Sequence, residues 1–291
     1  MLRIRLWGER ATDRVGSVTL PFFTPDTDPG PDFASLLRAQ GRDPATKLGD
    51  GPSHPLTITH GTTVVAVRTA AGVVMAGDRR ATSGNLISHR SMEKVFPADR
   101  FSGVAIAGAA GPAMEMVKLF QLQLEHYEKV EGHHLSLEGK ANQLSAMVRN
   151  HLPAAMQGMA VVPLFAGFDR NRGVGRLFEF DVTGGRYEEH HHAATGSGSL
   201  HAGTVIKIGY RDGMDPDDAV DLCIRALFEA ADDDSATGGP DLIRGIFPIV
   251  ATIDGDGFQR LDDAEIRQRF EGLLGTLSPN HGNGSTEGAS S

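Results

Sequence analysis

The sequence predicts an α+β fold in which helices cover a layered sheet. Short runs rich in β-branched residues, typical of strands, alternate in blocks with longer runs whose apolar residues recur at helical spacing. The predicted order is strands, two helices, strands, two helices, a strand and a helix. Because two long helices follow one another directly, we expect them to cover one face of a sheet.

The first block of strands is followed by both long helices. Predicted strands cover 63–68, 73–76, 94–96 and 104–107, and predicted helices cover 113–127 and about 136–156. Ser136 occupies an N-cap position for the second helix, and Gly132 ends the first. Between the strands, residues 78–91 are polar and irregular, with a turn expected at Gly84 and Asn85.

The second block begins with an apolar run and a hairpin. Predicted strands cover 161–168, 176–181, 186–189 and 244–253, and predicted helices follow Ser199, run from about Asp215 to Ala231 and cover 262–274. Thr183-Gly184-Gly185 predicts the hairpin turn, since glycine adopts the backbone angles that such turns need. Asp215 and Pro216 are favourable at a helix start.

The composition indicates a globular protein in a reducing compartment. The 291 residues are 40% hydrophobic and 22% charged, enough for one large or two ordinary domains. With a net charge of −9 and no basic block, nucleic acid is not an expected partner. The single cysteine, Cys223, is expected to pack in a helix, and its isolation fits the cytoplasm. We expect no membrane span, which needs ~20 apolar residues, and no secretion signal.

Two flanking segments differ in composition from the predicted catalytic domain, 62–275. Residues 1–61 are interrupted by prolines, glycines and aspartates, so no long element is expected there, although a short amphipathic helix is predicted near 32–38. We interpret 1–61 as a removable propeptide, with a disordered tail as the alternative. Residues 276–291 are rich in Ser, Gly and Asn and are expected to be disordered.

The boundary between leader and domain carries a candidate nucleophile. Gly61 is followed by Thr62, Thr63 and an apolar run, a pattern that on its own also describes a turn entering a strand. If the chain is cut between Gly61 and Thr62, the threonine gains a free α-amine that can take its hydroxyl proton. An α-amine titrates near pH ~8 and is therefore a better base at neutral pH than an ordinary lysine. The uncut chain lacks this amine and is expected to be inert.

A set of downstream positions strengthens this interpretation. Gly77-Asp78-Arg79-Arg80 comes first, followed by Lys94 and Gly108. Together with Thr62, the set resembles the proteasome β subunits of the bacterial, actinobacterial type, which are N-terminal-nucleophile threonine proteases. The likeness extends from about His60 to Ile253. It implies a four-layer α/β/β/α sandwich and self-cleavage directly before the threonine.

The resemblance implies a role for each residue of the set. Thr62 is the nucleophile, Lys94 lies beside it, and Asp78 fixes the lysine and keeps it charged. Arg80 supports the site, and the backbone N–H of Gly108 faces the developing oxyanion. Without the resemblance, the lysine and aspartate are equally well interpreted as solvated charges at strand ends, and the glycine as a junction between strand and helix.

A second implied group surrounds the threonine amine. Ser197 and Asp234 are expected to hydrogen-bond around it, and Asp234–Gly239 resembles the family's Asp-x-x-Ser-Gly-Gly segment. This chain departs from the pattern because Thr237 stands where serine is usual. The hydroxyl is retained, so we expect its hydrogen bond to be retained. The backbone of Thr82 is implied to pair with an extended substrate strand.

The positions implied to line the substrate pocket carry no charge. They are Ala81, Met92, Phe96, Ile106, Ala110 and Met114. An uncharged pocket predicts a preference for apolar side chains before the cut bond, with methionine adding adaptability, although several of these residues are equally typical of core. No cofactor or metal is expected, since side chains of consecutive histidines at 133–134 and 190–192 diverge.

The resemblance also implies a multi-subunit particle. Other β subunits form a ring, α subunits flank it, and a ring-shaped ATPase feeds unfolded substrates tagged by a small protein modifier. Three alternatives stay open. The ATP-dependent two-ring relative normally has its threonine directly after the initiator methionine, a silent ring subunit lacks the threonine or the lysine, and a small-amide hydrolase of the same superfamily uses carboxylate-binding arginines.

Overall fold

A computed structural model describes residues 61–277, together with Asp32 and residues 35–37. Its strands are β1 (Thr63–Arg68), β2 (Val73–Gly77), β3 (Ala81–Ser83), β4 (Leu86–His89), β5 (Val95–Asp99), β6 (Ser102–Gly108), β7 (Val161–Asp169), β8 (Val174–Phe180), β9 (Arg186–Glu189), β10 (His192–Gly196), β11 (Ile249–Ile253) and β12 (Phe258–Arg260). Its helices are α1 (Ala110–Glu131), α2 (Leu137–Asn150), α3 (Leu152–Ala155), α4 (Ser199–Gly209), α5 (Pro216–Asp233) and α6 (Asp263–Leu277).

Most of the predicted leader and of the predicted tail lies outside the residues that the structure describes. Residues 35–37 form a helical turn inside the helix expected at 32–38. The rest of the leader up to residue 60, and the tail from residue 278, lie outside the described residues. The last helix extends beyond the predicted end at 274 and includes the first two residues assigned to the tail.

The strands form two five-stranded sheets and a separate hairpin. The first sheet has the order β10-β1-β2-β11-β12, the second has the order β5-β6-β7-β8-β9, and β3 pairs with β4. All of these neighbours are antiparallel. Antiparallel strands bury alternate side chains on opposite faces, and this alternation determines the layers of the molecule.

Alternation along β1 joins two apolar cores. Val64 and Ala66 pack with Leu164 of the second sheet in a core between the two sheets. Val65 and Val67 point the opposite way and pack with residues of α4, α5 and α6. The first sheet is therefore covered by helices on one face and by the second sheet on the other.

The second sheet is covered on its outer face by α1 and α2. Phe120 of α1 and Leu144 of α2 pack with Phe165 and Phe178 of the sheet. The rings of Phe120 and Phe165 meet edge to face, with their centroids 5.8 Å apart. The layers follow in the order helix, sheet, sheet, helix, which confirms the predicted α+β class and the four-layer sandwich.

Local chemistry explains where several helices begin and end. Gly132 ends α1 in the left-handed region, with φ of 72°. Ser136 caps α2 by accepting a hydrogen bond from the Gly139 N–H at 3.1 Å. Asp215 caps α5 by accepting one from the Asp217 N–H at 2.9 Å. None of the helices in the described residues has the length and apolar character needed to cross a membrane.

Two predicted elements have the wrong extent. The helix expected over 136–156 divides into α2 and α3 at His151, because Pro153 has no N–H for the helical ladder. The strand expected over 244–253 begins only at Ile249. The preceding chain turns instead, because the Asp241 carboxylate accepts hydrogen bonds from the backbone N–H groups of residues 243 and 244.

The stretch 78–91 was expected to be irregular, and that prediction is wrong. It contains β3 and β4, joined at the expected turn, where Gly84 has a φ of 58°. Both strands are short, and all of β4 is exposed. Because β4 buries neither face, its sequence lacks the alternation of apolar and polar residues that marks a half-buried strand.

Candidate active site

Thr62 lies where the leader meets the first sheet, and it is only 5% exposed. The next residue, Thr63, pairs with Gly196 of β10, which brings the loop after β10 to this junction. The Ser197 N–H donates to the Thr62 carbonyl at 2.8 Å, and the Thr62 N–H donates to Ser197 Oγ at 3.3 Å. In the uncut chain this nitrogen belongs to a peptide bond.

Asp78 follows β2 and receives hydrogen bonds from four different parts of the chain. Its Oδ1 accepts from the Thr63 N–H at 2.8 Å and from Lys94 Nζ at 2.6 Å. Its Oδ2 accepts from the Arg80 N–H and the Gly238 N–H, each at 2.8 Å. The carboxylate is fully buried, so these donors fix its position next to the first residues of β1.

Lys94 is buried directly before β5, with a side chain that is 1% exposed. Besides Asp78, its Nζ donates to the Arg80 carbonyl at 2.5 Å. Burial lowers the pKa of the Lys94 ammonium by more than the neighbouring Asp78 raises it. The expected effect of the aspartate is thus present but outweighed, and this lysine releases its proton more readily than an exposed one.

A second group of contacts reaches the Thr62 nitrogen through Ser197. Ser197 Oγ donates to Asp234 Oδ2 at 2.5 Å, and Thr237 Oγ1 donates to the same oxygen at 2.6 Å. Burial acts to raise the pKa of Asp234, but these hydrogen bonds outweigh it and the pKa lies below its usual value. The hydrogen bond expected of Thr237, the residue that replaces the usual serine, is present.

Gly61 is tightly enclosed on the leader side of the junction. Its N–H donates to Thr82 Oγ1 at 3.2 Å. A Cβ at Gly61 would lie 1.7 Å from the Cβ of Ala236 and 2.7 Å from its Cα, so no side chain fits at this position. Thr82 therefore holds the leader through its side chain, in addition to the backbone pairing that the sequence predicted for a substrate.

Gly108 ends β6 with a φ of 111°, in the region that favours glycine. A Cβ at this position would lie 2.1 Å from the carbonyl oxygen of Ala160, at the entry to β7. The fold therefore requires a glycine at this junction between strand and helix. The oxyanion role stays a prediction.

The residues predicted to line the substrate pocket occupy two regions. Phe96, Ile106 and Met114 belong to the core between the second sheet and its helices. Phe96 and Met114 are partly exposed, whereas Ile106 is 2% exposed and belongs to the interior. The others lie in or next to the β3–β4 hairpin and at the start of α1: Ala81, Met92 and Ala110.

Sequence reasoning missed three contacts that complete the site. Thr63 Oγ1 accepts from the Gly198 N–H at 2.9 Å and lies 2.5 Å from Thr237 Oγ1. The Gly238 N–H is the fourth donor to Asp78. The only signal in the sequence is that each residue adjoins a predicted site residue, and a strand pattern alone assigns Thr63 to the sheet.

The single cysteine is not part of this site. Cys223 is completely buried in the core between the first sheet and its helices. Burial raises the pKa of its thiol far above the usual value, so it stays protonated. Within the described residues, no group of three or more His, Cys, Asp or Glu side chains is placed to hold a metal ion.

Most of the chain is similar to one family of known proteins. Residues 58–243 match the family described as Proteasome subunit. Over 251 residues, the chain is 59% identical to proteasome subunit beta of Acidimicrobium ferrooxidans, covering 86% of this chain and 92% of that protein. It is 54% identical over 270 residues to proteasome subunit beta of Streptomyces griseus, covering 91% and 94%. The protein of that name from Acidothermus cellulolyticus is 51% identical over 273 residues, covering 92% and 93%.

Proposed function

This chain belongs to the proteasome subunit family, and we propose that it is the catalytic β subunit of a proteasome core particle. It hydrolyses peptide bonds of unfolded proteins as a threonine endopeptidase. One observation carries this proposal: two sets of hydrogen bonds meet at the start of β1, a partly buried set that holds the nitrogen of Thr62 and a buried set around the Asp78 carboxylate. A structural turn at the head of a strand needs neither set.

The nucleophile is the hydroxyl of Thr62, which can attack a substrate once the leader is removed. Its Oγ attacks the carbonyl carbon of the substrate peptide bond, and the free α-amine takes the hydroxyl proton. The proton passes to the leaving amine as the peptide C–N bond breaks. The acyl part of the substrate remains as an ester on the threonine, and water then hydrolyses that ester. Ser197 and Asp234 orient the amine, Lys94 stabilises developing negative charge, and the N–H of Gly108 donates to the oxyanion.

The chain is made as a zymogen and cuts itself between Gly61 and Thr62. The Thr62 hydroxyl attacks the Gly61 carbonyl, the C–N bond breaks as the amine gains a proton, and water releases residues 1–61 from the ester. The amide nitrogen cannot serve as base in this first step. Lys94 is the candidate for it, because its Nζ shares Asp78 Oδ1 with the N–H of Thr63, the residue directly after the nucleophile.

The same reasoning extends to substrates and partners. The uncharged residues implied to line the pocket favour apolar side chains before the cut bond. Members of this family assemble with other proteasome subunits. We place this chain in a cytoplasmic β ring between α rings, supplied with modifier-tagged, unfolded proteins by a ring-shaped ATPase.

The alternatives are each weakened by one feature. A silent ring subunit has no need for the N–H of Thr63, the residue after Thr62, and the ammonium of Lys94 to converge on a buried Asp78 carboxylate. A small-amide hydrolase is disfavoured because the relatives and the family model agree on a proteasome subunit. The two-ring ATP-dependent relative is disfavoured by the residues that precede Thr62.

The proposal predicts that Thr62→Ala abolishes both self-cleavage and peptide hydrolysis, because the hydroxyl is the nucleophile in both. Intact mass and turnover of a fluorogenic peptide measure the two effects. Thr62→Ser is the matched control, since it keeps a hydroxyl and an amine and should retain both reactions. A Thr62→Ala particle that still cuts peptides would overturn the assignment.

A further inference from the structure

Thr63 adjoins the proposed nucleophile, but none of the roles described above uses its side chain. The residue is fully buried, and its N–H already donates to Asp78. Its Oγ1 contacts the loop after β10, through the Gly198 N–H at 2.9 Å, and the loop after α5, through Thr237 Oγ1 at 2.5 Å. Both loops also carry residues that hold the Thr62 nitrogen.

The direction of each hydrogen bond follows from the number of protons. An ionised carboxylate only accepts, so Thr237 uses its one hydroxyl proton on Asp234 Oδ2, at 2.6 Å. The proton between the two threonines must then come from Thr63. The direction of donation is therefore fixed: the Gly198 N–H donates to Thr63, the Thr63 hydroxyl donates to Thr237, and the Thr237 hydroxyl donates to Asp234.

These contacts close a ring around the amine position. Asp234 Oδ2 also accepts from Ser197 Oγ at 2.5 Å, and Ser197 Oγ accepts from the Thr62 N–H at 3.3 Å. We call Thr63, Thr237, Asp234 and Ser197 the hydroxyl chain. The hydroxyl chain starts at Thr63 and ends at Ser197, which holds the nitrogen of Thr62. Because Thr62 and Thr63 are covalently linked, that nitrogen cannot shift without loosening one of these hydrogen bonds.

The hydroxyl chain has little space for a substitute partner. A Cβ at Gly198 would lie 2.5 Å from Thr63 Oγ1, 2.6 Å from Thr237 Oγ1 and 3.2 Å from Asp234 Oδ2. The backbone of Gly198 therefore lies directly against three of the oxygens. A water needs both room and several polar partners, so it could not easily replace a missing hydroxyl here.

We propose that Thr63 is a positioning residue, whose hydroxyl acts through Thr237 and Asp234 to hold the Thr62 amine where it can take the hydroxyl proton. This inference rests on the proposed role of that amine. It goes further in assigning a function to the second residue of the mature chain and a direction to the hydrogen bonds that carry it.

The test uses the full chain assembled with its partner subunits, with turnover divided by the fraction of chains that begin at Thr62. Thr63→Val keeps the shape but removes the hydroxyl, so kcat should fall about tenfold while KM stays within about twofold. Thr63→Ser should recover most of the lost kcat, which a purely structural contact of the methyl group would not explain. Thr63→Ala replaces Thr63→Val if the valine chain fails to assemble.

A double-mutant cycle then tests whether Thr63 acts through Thr237. Thr237→Val should lower kcat by a similar factor, and Thr63→Val combined with Thr237→Val should be no worse than either alone. Independent, multiplying losses would overturn the proposal, as would a normal kcat for Thr63→Val.

Two further outcomes are informative. A Thr63→Val chain that stays uncut while Thr63→Ser is cut would also contradict the proposal, because no amine exists before cleavage. If Thr62→Ala is inactive but Thr63→Val is normal, only this inference fails and the proposed function stands.

Discussion

At the scale of single residues, the centre of the site is a buried ion pair. The side chains of Lys94 and Asp78 are 1% and 0% exposed, and they lie 2.6 Å apart. Removing one partner of such a pair leaves a buried charge without compensation, which costs about 3–5 kcal/mol. The pair therefore contributes to the folding of the site as well as to its proposed chemistry, so stability and activity have to be measured separately in any variant.

Lys94→Met is expected to block self-cleavage, because the site loses its candidate base for that step. In a chain produced so that it already begins at Thr62, the same change should lower peptide hydrolysis by about a hundredfold or more, because the site loses its cation. The same change should reduce thermal stability through the unpaired Asp78. Hydrolysis per mature chain and thermal unfolding measure the two consequences. Normal turnover in Lys94→Met would show that another group supplies the charge.

A second buried lysine provides the matched control for this prediction. Lys140 of α2 pairs with Asp99, at the opposite end of β5 from Lys94, and their side chains are 6% and 18% exposed. Lys140→Met should therefore also lower stability. Hydrolysis per mature chain should change by no more than about twofold, because this pair has no contact with the site.

At the scale of elements, the loop after α5 joins the separate parts of the site. Ser235 accepts a hydrogen bond from the Arg80 guanidinium at 2.9 Å, and Ala236 packs against Gly61. Thr237 contacts Thr63 at 2.5 Å. Since α5 is anchored in the core by a row of buried side chains, the loop that follows it is held in one position. A change at the leader junction should consequently shift this loop and the site residues that it contacts.

Gly61→Ala is expected to slow self-cleavage at least tenfold, because the new methyl group would lie 1.7 Å from the Ala236 Cβ and must displace the junction. The mass of the chain, followed over time after assembly, measures the cleavage rate. Ala236→Gly should rescue Gly61→Ala only in part, since the Ala236 Cα would still lie 2.7 Å from the methyl.

Gly272→Ala is the control for this change. Gly272 lies in α6, and a Cβ there meets no atom within 4 Å, so cleavage should be unchanged. Cleavage of Gly61→Ala at the normal rate would mean that the junction does not have to fit against Ala236.

The sequence predicted elements well where burial selects the residues. β1 was found from its run of β-branched residues, which suits a strand buried on both faces, and α1 was found from apolar residues at helical spacing on its buried side. β4 was missed because all of it is exposed, and α3 was merged with α2 because the apolar pattern continues across Pro153. Periodicity reports burial, and it carries little information where an element is exposed or interrupted.

The site shows a similar division. Thr62, Asp78 and Lys94 were found because a known family has the same residues in the same order. Thr63 was missed because its contacts join residues 63, 198 and 237, and no local pattern records a contact over that distance. The lowered pKa of Lys94 also depends on burial, which only the folded chain displays.

At the scale of the whole molecule, the single chain leaves several large apolar side chains exposed. Leu200 is 75% exposed, Ile208 82% and Ile243 95%. Exposed apolar groups of this size favour association with other subunits, in keeping with membership of a family that forms multi-subunit particles. Enclosing the active threonine in such a particle would restrict hydrolysis to chains that are threaded inside.

Under the proposed mechanism, activity follows cutting. In the uncut chain, the Thr62 nitrogen is an amide that donates to Ser197. The proposed cleavage would leave an amine at the same position with the same neighbours, so the hydrogen-bonded site would already be formed when the base appears. Activation would then need one broken peptide bond and no rearrangement of the fold.

The most direct test of this account is the position of a covalent adduct. The assembled protein is treated with a peptide β-lactone, which forms an ester with a reactive hydroxyl, and is then analysed by intact-mass and fragment-ion mass spectrometry. The account predicts chains that have lost residues 1–61 and carry a single adduct on Thr62. An adduct on any other residue, or on a chain that still retains its leader, would contradict it.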